Sequence, residues 1–466
     1  MTDWQGKHVT VAGLGVSGVP AAKVLRGLGA EVTVVNDGDD DRARAQAEEL
    51  RELGVTVRLG DGATLPEGTG LVVTAPGWQP DKPLFTAARA AGVEIWGDVE
   101  LAWRLRGPDA PPWLCVTGTN GKTTTTQMLA SILTAAGLRT AAVGNIGVSL
   151  LDAVNGDYDV LAVELSSYQL HWAPSLRAHS AAVLNLAPDH LDWHGSMEAY
   201  AADKGRVYEG NRVACVYNAA DKATEDLVRE ADVEEGCRAI GFTLGTPGPS
   251  QLGVVEGILV DRAFVENRQQ NAQELAEVSD VNPPAPHNIA NALAAAALAR
   301  AYGVPAKAVR DGLRAFTPDA HRIAHVADVA GVSYVDDSKA TNTHAAQASL
   351  AAYESVVWIA GGLAKGAAFD ELVAGSAERL RGVVLFGADR ALIREALARH
   401  APQVPVVDLD RTDTGAMLQA VREAQRLATE GDTVLLAPAC ASMDMFTNYN
   451  QRGDAFAQAV RELAGT

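Results

Sequence analysis

The sequence is poor in cysteine and has no paired cysteine motif. Four cysteines occur among its 466 residues, at positions 115, 215, 237 and 440, and no two are spaced as Cys-x-x-Cys. Small secreted domains and zinc-finger sites depend on closely spaced cysteines. We therefore expect four reduced thiols in a cytoplasmic protein, with neither a disulfide framework nor a cysteine-bound zinc.

Long apolar runs are also missing. No stretch reaches the roughly 18 apolar residues that a membrane-spanning helix needs, and no apolar signal-peptide core precedes the first predicted strand. These features predict a protein that is neither exported nor membrane-spanning. At about 150 residues per domain, the length suggests three domains.

Positive charge is in short supply as well. The chain has 39 Lys and Arg side chains against 58 Asp and Glu, a formal net charge of −19. Such an acidic protein repels polyanions, so nucleic acid is not expected as a partner. A local group of basic side chains can still hold a small phosphorylated substrate.

The sequence does contain a glycine turn between a predicted strand at 113–116 and a predicted helix. The turn reads Thr117-Gly118-Thr119-Asn120-Gly121-Lys122-Thr123-Thr124. The backbone N–H groups of such a turn bind nucleotide phosphates, Lys122 adds a positive charge, and Thr123 offers a hydroxyl to Mg²⁺. Only two residues separate the two glycines, so this is a shortened phosphate loop.

A second glycine turn, Gly13-Leu14-Gly15-Val16-Ser17-Gly18, follows a predicted strand at 8–12. Asp37 lies nineteen residues after Gly18, beyond a predicted helix and strand. This spacing is typical of a site for a diphosphate-bearing nucleotide, although it does not specify NAD, and the glycines also suit simple helix–strand packing. A later strand at 71–74 leads to a turn with Gly77, and a proline-rich linker spans 107–112.

Polar residues follow three predicted strands of the central segment, at 139–143, 159–163 and 181–184. These residues are Asn145, Glu164 and the pair Asp189-His190. Phosphate-loop enzymes keep an acid at the position of Glu164 to hold Mg²⁺. A zinc site formed by His190 and His194 is not favoured, because Pro188 and Gly195 disfavour one helix through both.

Further along, residues 199–209 predict a helix that carries Lys204. Residues 225–286 predict peripheral strands and loops without assigned chemistry, and Asn288 suits the cap of an alanine-rich helix at 289–302. A third α/β segment follows, with strands at 323–329, 332–335 and 356–360 and polar residues again gathered where strands end.

Together these segments closely resemble the ATP-dependent Mur ligases. The resemblance covers the chain apart from about 225–286. It rests on the phosphate loop, Glu164-Leu165-Ser166-Ser167-Tyr168-Gln169-Leu170, Asp189-His190-Leu191-Asp192, His287-Asn288-Ile289-Ala290-Asn291-Ala292, His321-Arg322, Asp337-Ser338-Lys339-Ala340-Thr341-Asn342 and Pro438-Ala439-Cys440-Ala441-Ser442. The last motif and the one from Asp337 to Asn342 resemble the family member that adds D-glutamate.

The resemblance implies an α/β fold of three domains. These are an N-terminal Rossmann-like domain for the uridine diphosphate at 1–107, a central P-loop ATPase-like domain at 108–317 and a C-terminal Rossmann-like domain for the amino acid at 318–466. The implied reaction adds D-glutamate to UDP-N-acetylmuramoyl-L-alanine through an acyl phosphate. It uses ATP and two Mg²⁺ ions in a monomeric enzyme of cytoplasmic peptidoglycan synthesis.

The resemblance also implies roles for individual residues. Lys122, Glu164, His190 and Lys204 would be catalytic. Thr123, Glu164, His190 and Lys204 would hold the metal ions, with Lys204 carbamylated. ATP would contact the phosphate loop from Gly118 to Thr124, with Asn288, Asn291, Arg322 and Asp337. The other substrates would contact Ser17, Asp37, Gly77, Asn145, His190, Thr341, Lys365, Ser442 and Tyr449. The adjacent Asn36 and Asp37 leave open which of the two meets the uridine nucleotide, and Tyr449 stands where the family often has Phe.

Three alternatives remain. An NAD-dependent oxidoreductase would use the turn from Gly13 to Gly18 but leaves the phosphate loop unexplained. A nucleotide switch needs no third segment carrying Lys365 and Ser442. A sister ligase that adds another amino acid is the closest competitor.

Overall fold

Three separate β-sheets organise the chain. The computed structural model describes residues 4–411 and 413–465. Residue contacts divide the chain into two compact units, with the main boundary after Phe316, and the first unit contains the first two sheets. Among the described residues, no helix combines the length and apolar character needed to cross a bilayer.

The first sheet has five parallel strands in the order β3-β2-β1-β4-β5. Its central strand is a β-branched run whose last four residues are buried, as expected for a parallel strand covered by helices on both faces. The strands are β1 (His8–Ala12), β2 (Glu31–Asn36), β3 (Thr56–Leu59), β4 (Leu71–Thr74) and β5 (Glu94–Gly97), and the helices are α1 (Gly18–Gly27), α2 (Asp41–Glu52), α3 (Pro83–Ala90) and α4 (Asp98–Arg104).

The second sheet has nine strands in the order β14-β13-β12-β11-β10-β9-β6-β8-β7. It is parallel except at β12–β13 and β13–β14. The strands are β6 (Trp113–Thr117), β7 (Ala142–Gly144), β8 (Leu161–Glu164), β9 (Ser180–Val183), β10 (Ala214–Asn218), β11 (Arg238–Phe242), β12 (Gln251–Val255), β13 (Ile258–Asp261) and β14 (Gln273–Glu277). The helices are α5 (Lys122–Ala135), α6 (Leu150–Ala153), α7 (Ser167–His171), α8 (Leu191–His194), α9 (Met197–Gly205), α10 (Lys222–Glu230), α11 (Pro286–Ala301) and α12 (Ala306–Ala315). The segment 225–286 therefore adds strands to one edge of the central sheet.

The third sheet has six strands in the order β15-β16-β20-β17-β18-β19 and is parallel except at β15–β16. The strands are β15 (Ala324–Val329), β16 (Val332–Asp336), β17 (Val356–Gly361), β18 (Leu380–Phe386), β19 (Val406–Asp408) and β20 (Thr433–Leu436), and the helices are α13 (Thr343–Leu350), α14 (Asp370–Ser376), α15 (Arg390–His400), α16 (Ala416–Leu427) and α17 (Tyr449–Ala464). Because β16, β20 and β17 are parallel neighbours, the loops that follow them leave the sheet at one edge.

One helix start was predicted wrongly. Asn288 is not the cap of α11, because the helix begins two residues earlier at Pro286. Proline suits a first helical turn, where its missing N–H costs no hydrogen bond. The Asn288 side chain instead donates to the carbonyl of Pro283 at 3.3 Å.

All four cysteines are free in this structure. Cys115, Cys215 and Cys440 are buried. The Sγ atom of Cys215, on β10, lies 3.9 Å from that of Cys237, which directly precedes β11.

Candidate active site

The phosphate loop joins β6 to α5 and requires both of its glycines. Gly118 has φ of 150° and Gly121 has φ of 83°, in the region that disfavours side chains. A Cβ atom on Gly118 would lie 3.0 Å from Cβ of Leu184, and one on Gly121 would lie 2.4 Å from Oδ1 of Asn291. The predicted nucleotide residue Asn291 therefore lies directly against the loop.

Hydrogen bonds to neighbouring side chains stabilise the conformation of the phosphate loop. The Thr119 hydroxyl lies 2.9 Å from the Tyr200 hydroxyl, and the backbone N–H of Asn120 donates to Asn185 Oδ1 at 2.9 Å. Lys122 Nζ lies over the loop and donates to the carbonyls of Gly118 at 2.9 Å and Thr119 at 2.8 Å. Thr123 and Thr124 are buried in the first turn of α5.

Glu164 ends β8 beside the phosphate loop, where it is paired in register with Val116. The residue is 1% exposed, and its Oε1 accepts a hydrogen bond from Asn145 Nδ2 at 2.8 Å. Its Oε2 is buried and has no hydrogen-bond partner among the described residues. A buried carboxylate oxygen without a donor is a strong acceptor for a cation.

His190 precedes the one-turn helix α8 and has φ of 54°. Its ring centroid lies 4.9 Å from that of Tyr168. Partial burial lowers the pKa of His190, the nearby Lys122 and Lys204 lower it further, and Asp189 opposes them. His194 has Asp203 3.0 Å from Nδ1 and Ser167 3.0 Å from Nε2, so neither ring nitrogen is left for a zinc ion.

Lys204 lies on α9 and is 1% exposed. Its Nζ donates to the carbonyl of Gly118 at 2.8 Å and lies 4.8 Å from the centre of the Tyr200 ring. Burial lowers the pKa of Lys204 well below its usual value, and the nearby charge of Lys122 lowers it further. The amine is thus held beside the phosphate loop in an environment that favours its neutral form.

Ser17 and Asn145, both predicted to contact the sugar nucleotide, line one cavity of about 290 Å³. Asp98 and Gln169 line it too. Neither residue was predicted as functional. Gln169 belongs to a motif on which the resemblance rests but was given no role, and Asp98 was missed together with the strand β5 that ends beside it. A strand-end acid followed by a helix was the signal that would have found Asp98.

Asn36 and Asp37 have different environments. Asn36 Oδ1 accepts from the backbone N–H of Leu14 at 3.0 Å, and its Nδ2 donates to the carbonyl of Gly38 at 2.9 Å. Asp37 accepts from Lys82 Nζ at 2.5 Å at the surface. Because Asn36 supports the glycine turn, Asp37 is the better candidate for contact with a nucleotide. The carbonyl of the predicted residue Gly77 accepts from Trp193 Nε1 at 3.2 Å.

The second unit contains its own set of predicted nucleotide residues. Asp337 is 7% exposed, accepts from the N–H of Ile323 at 3.3 Å and is also hydrogen-bonded by the Ser349 hydroxyl. Burial raises the pKa of Asp337 to about 6, against the opposing effects of Ser349 and Arg322. Arg322 Nε is buried and has no hydrogen-bond partner among the described residues.

The predicted amino-acid residues Thr341, Lys365 and Ser442 lie on the loops after β16, β17 and β20. The last two loops are joined by backbone hydrogen bonds of 2.9 Å in both directions between Leu363 and Ala441. Lys365 is exposed with φ of 50°, and Ser442 is 4% exposed.

The predicted residue Tyr449 begins α17 in the same unit. Its carbonyl accepts from Ser338 Oγ at 2.7 Å, and Lys339 Nζ lies 5.0 Å from its ring centre.

Taken together, the fold and these loops define a class of protein: three α/β sheets with a phosphate loop on the second sheet and anion-binding candidates on the third. Family models agree. The model for the Mur ligase middle domain matches residues 116–299, and that for the Mur ligase glutamate ligase domain matches 321–440.

Relatives match over nearly the whole chain. The UDP-N-acetylmuramoylalanine--D-glutamate ligase of Streptomyces avermitilis is 86% identical over 465 residues, which cover 99% of this chain and 100% of that protein. The enzyme of the same name from Streptomyces coelicolor is 87% identical over 467 residues, covering 99% of each. The crystal structure of MurF from Acinetobacter baumannii shares the fold with a TM-score of 0.58 at 16% identity, covering 98% of this chain and 93% of that one.

The chain belongs to the Mur ligase family, and within it to the group of UDP-N-acetylmuramoylalanine--D-glutamate ligases. The predictions of family and α/β fold class are confirmed. A model for pyridine nucleotide-disulphide oxidoreductases also matches residues 8–74. That stretch runs from β1 to β4 of the first sheet and contains no cysteine, and a likeness at the level of the fold does not by itself assign a chemistry.

Proposed function

We propose that this chain joins D-glutamate to UDP-N-acetylmuramoyl-L-alanine at the expense of ATP. The family implies use of ATP, and identity of 86–87% to full-length enzymes named for this ligation supports the substrates. The strongest structural support is the phosphate loop held beside the buried Glu164 and Lys204. Formation of an amide from two ions in water is unfavourable, so the carboxylate must first be activated.

In the first step, a carboxylate oxygen of the alanine attacks the γ-phosphorus of ATP, and ADP leaves. In the second, the D-glutamate amine attacks the acyl carbon, loses a proton, and phosphate leaves. The loop N–H groups and Lys122 bind and orient the phosphates, which places the two anions in line. Asn288, Asn291, Arg322 and Asp337 are assigned to the rest of ATP.

The residues fit Mg²⁺. The described residues contain no group of three His, Cys, Asp or Glu side chains arranged for a metal. Mg²⁺ is commonly held by one or two carboxylates together with substrate phosphates and water, so Glu164 with its partnerless Oε2 and the Thr123 hydroxyl suit one ion. His190 and Lys204 are assigned to a second. When bound, Mg²⁺ neutralises the phosphate oxygens that repel the attacking carboxylate.

Lys204 suits carbamylation. Only a neutral amine adds CO₂, forming an N-carboxylate and releasing a proton, and burial lowers the pKa of Lys204 and so favours the neutral amine. The product is an anion that can bind a metal beside the phosphate loop. An unmodified ammonium there would be repelled by Mg²⁺.

The remaining substrate contacts complete the proposal. Ser17, Asp37, Gly77, Asn145 and His190 are assigned to the sugar nucleotide, and Thr341, Lys365, Ser442 and Tyr449 to D-glutamate. The domain boundaries at 107 and 317, the monomeric state and the cytoplasmic location belong to the same proposal.

Phosphate release measures the function directly. The purified chain receives ATP, Mg²⁺ and UDP-N-acetylmuramoyl-L-alanine, and the added amino acid is varied. Of the amino acids added, we expect only D-glutamate to cause phosphate release. Lys122→Ala should abolish this release. Lys307→Ala, which changes an exposed lysine of α12, should retain it. Release with a different amino acid would indicate a sister ligase, and release without any amino acid would indicate a simple ATPase.

A further inference from the structure

Asp98 is hydrogen-bonded to the glycine turn of the first sheet and lies near α7 of the second. It begins α4 directly after β5. Ser17 Oγ donates to its Oδ2 at 2.8 Å, and the N–H of Val99 donates to its Oδ1 at 3.0 Å. The side chain of Gln169 lies close to its carboxylate in the wall of the same cavity. Ser17 belongs to the first sheet's glycine turn, whereas Gln169 lies on α7 next to the second sheet.

The orientation of Gln169 is fixed by its other partners. Its Oε1 accepts from the N–H of Ser166 at 3.0 Å and from the Ser166 hydroxyl at 3.2 Å. The amide oxygen is therefore committed to α7, and the NH₂ group is the part that is available to the nearby Asp98 carboxylate. Ser166 comes two residues after Glu164, so the chain of contacts runs from the glycine turn to the strand end that carries the predicted metal ligand.

The Ser17 hydroxyl is available to hydrogen-bond with Asp98. It stands at the N-cap position of α1 but makes no side-chain cap hydrogen bond. The third residue of the helix is Pro20, which has no N–H to offer a capping oxygen. The Ser17 hydroxyl is instead held by Asp98, and this contact fixes the position of the glycine turn that is predicted to contact the nucleotide diphosphate.

We propose that Asp98 is a positioning residue for the sugar nucleotide. It holds the glycine turn, through Ser17, against Gln169 of the central sheet's α7, in the wall of the 290 Å³ cavity that Ser17 and Asn145 also line. The proposal rests on the proposed function, because it assigns this cavity to the sugar nucleotide. Asp98 acts through its hydrogen bond with Ser17.

A double-mutant cycle tests this. Asp98→Ala, Ser17→Ala and the double variant are compared by calorimetric titration with UDP-N-acetylmuramoyl-L-alanine, alongside KM values for all three substrates. We expect each single change to weaken binding of the sugar nucleotide about tenfold, with KM for ATP and for D-glutamate unchanged. The double variant is expected to bind no more weakly than Ser17→Ala, because Asp98 acts only through Ser17.

Two further variants separate positioning from folding. Asp98→Asn keeps an oxygen that accepts from Ser17 and should restore most of the affinity. Ser175→Ala is the matched control, because it removes a serine–carboxylate hydrogen bond from Ser175 Oγ to Glu100, which lies on α4 like Asp98. This change should leave the affinity for the sugar nucleotide unchanged. If Asp98→Ala does not fold, Ser17→Ala and Asp98→Asn still decide the question.

Additive losses in the cycle, unchanged affinity in both single variants, or an equal rise in KM for ATP would each overturn the assignment of Asp98. These outcomes are distinct from failure of the proposed function. In that case the unaltered protein itself would not bind the sugar nucleotide or would not release phosphate with D-glutamate.

Discussion

At the scale of single residues, two of the buried polar atoms that lack hydrogen-bond partners among the described residues lie at predicted ligand positions. Glu164 Oε2 and Arg322 Nε are both buried and lack hydrogen bonds within the described chain. Leaving such an atom unpaired costs about 1–3 kcal/mol, and more when the group is charged. A ligand that satisfies these atoms therefore recovers free energy that folding alone does not.

Lys204 gives a prediction about pH and CO₂. Its lowered pKa means that the amine is neutral, and able to form a carbamate, at pH values where an exposed lysine is protonated. With ¹³CO₂ at neutral pH, we expect one carbamate resonance in the ¹³C NMR spectrum, lost as the pH falls through the pKa of the amine. Lys204→Ala should lack it, whereas Lys307→Ala, at an exposed lysine, should keep it. A resonance that survives in Lys204→Ala would contradict the assignment.

Asp337 gives a prediction about stability. Burial raises its pKa from the ordinary 3.8 to about 6, so the unfolded carboxyl ionises first and stability falls as the pH rises through this interval. The difference corresponds to roughly 3 kcal/mol once both states are ionised. Asp337→Asn is therefore expected to raise the free energy of unfolding at about pH 7.5 by up to that amount, with little effect near pH 4, as measured by urea denaturation.

The control is Asp370→Asn, because exposed Asp370 has its pKa lowered by Arg399 and His400. That change should lower stability slightly at neutral pH. If Asp337→Asn were destabilising at neutral pH and stabilising in acid, the sign of the argument would be wrong. The same variant should bind ATP more weakly if Asp337 contacts the ribose.

At the scale of elements, Arg452 of α17 holds two predicted substrate loops together. It is 0% exposed and donates to Ser338 Oγ at 3.0 Å, the carbonyl of Ser338 at 2.8 Å and the carbonyl of Cys440 at 3.0 Å. Burial lowers its pKa to about 10, so it stays charged at neutral pH. One guanidinium thus fixes the loops after β16 and β20 with geometry that lysine does not reproduce.

Arg452→Met should therefore leave two buried carbonyls unpaired and destabilise the protein by about 3 kcal/mol, measured by denaturant unfolding. KM for D-glutamate should rise, because Ser442 follows Cys440 closely, while binding of the sugar nucleotide to the other unit should not change. Arg461→Met, at an exposed position of the same helix, is the matched control. A normal KM for D-glutamate in a folded Arg452→Met protein would disprove the link between the loops.

The strands and helices show how much of the fold could be predicted from the sequence. Strands with long β-branched runs, such as β1 and β17, and the glycine turns after β1 and β6 were predicted because their signal is local. The strand β5 was missed because its four residues, Glu94-Ile95-Trp96-Gly97, include only two large apolar side chains, and Asp98 was missed with it. The start of α11 at Pro286 was missed because two signals compete there. Asn288 favours a helix cap and Pro286 favours the first helical turn, and the local sequence does not show which of the two residues begins the helix.

Contacts between residues that are far apart in the sequence could not be predicted from local sequence patterns. The approach of Asn291 to Gly121 and the contact of Gln169 with Asp98 depend on how separate segments pack, and no spacing along the chain encodes them. The resemblance supplied the roles of residues such as Lys204, whereas the structure supplied the burial that makes such a role chemically reasonable.

At the scale of the whole molecule, the proposed reaction needs groups from both compact units. The phosphate loop, Glu164 and Lys204 belong to the first, and Arg322, Lys365 and Ser442 belong to the second. An acyl phosphate formed on one unit must meet an amine held on the other, within bonding distance and shielded from water. We therefore predict that the units close around the bound substrates during each turnover.

Small-angle X-ray scattering measures this closure. We expect the radius of gyration to fall when a non-hydrolysable ATP analogue and UDP-N-acetylmuramoyl-L-alanine are both present, and to fall less with either alone. Lys122→Ala, which weakens the hold on the nucleotide, should contract less under the same conditions. If calorimetry shows both ligands bound and the scattering profile is unchanged, the two units do not need to move, and the reacting groups must already face each other in the free protein.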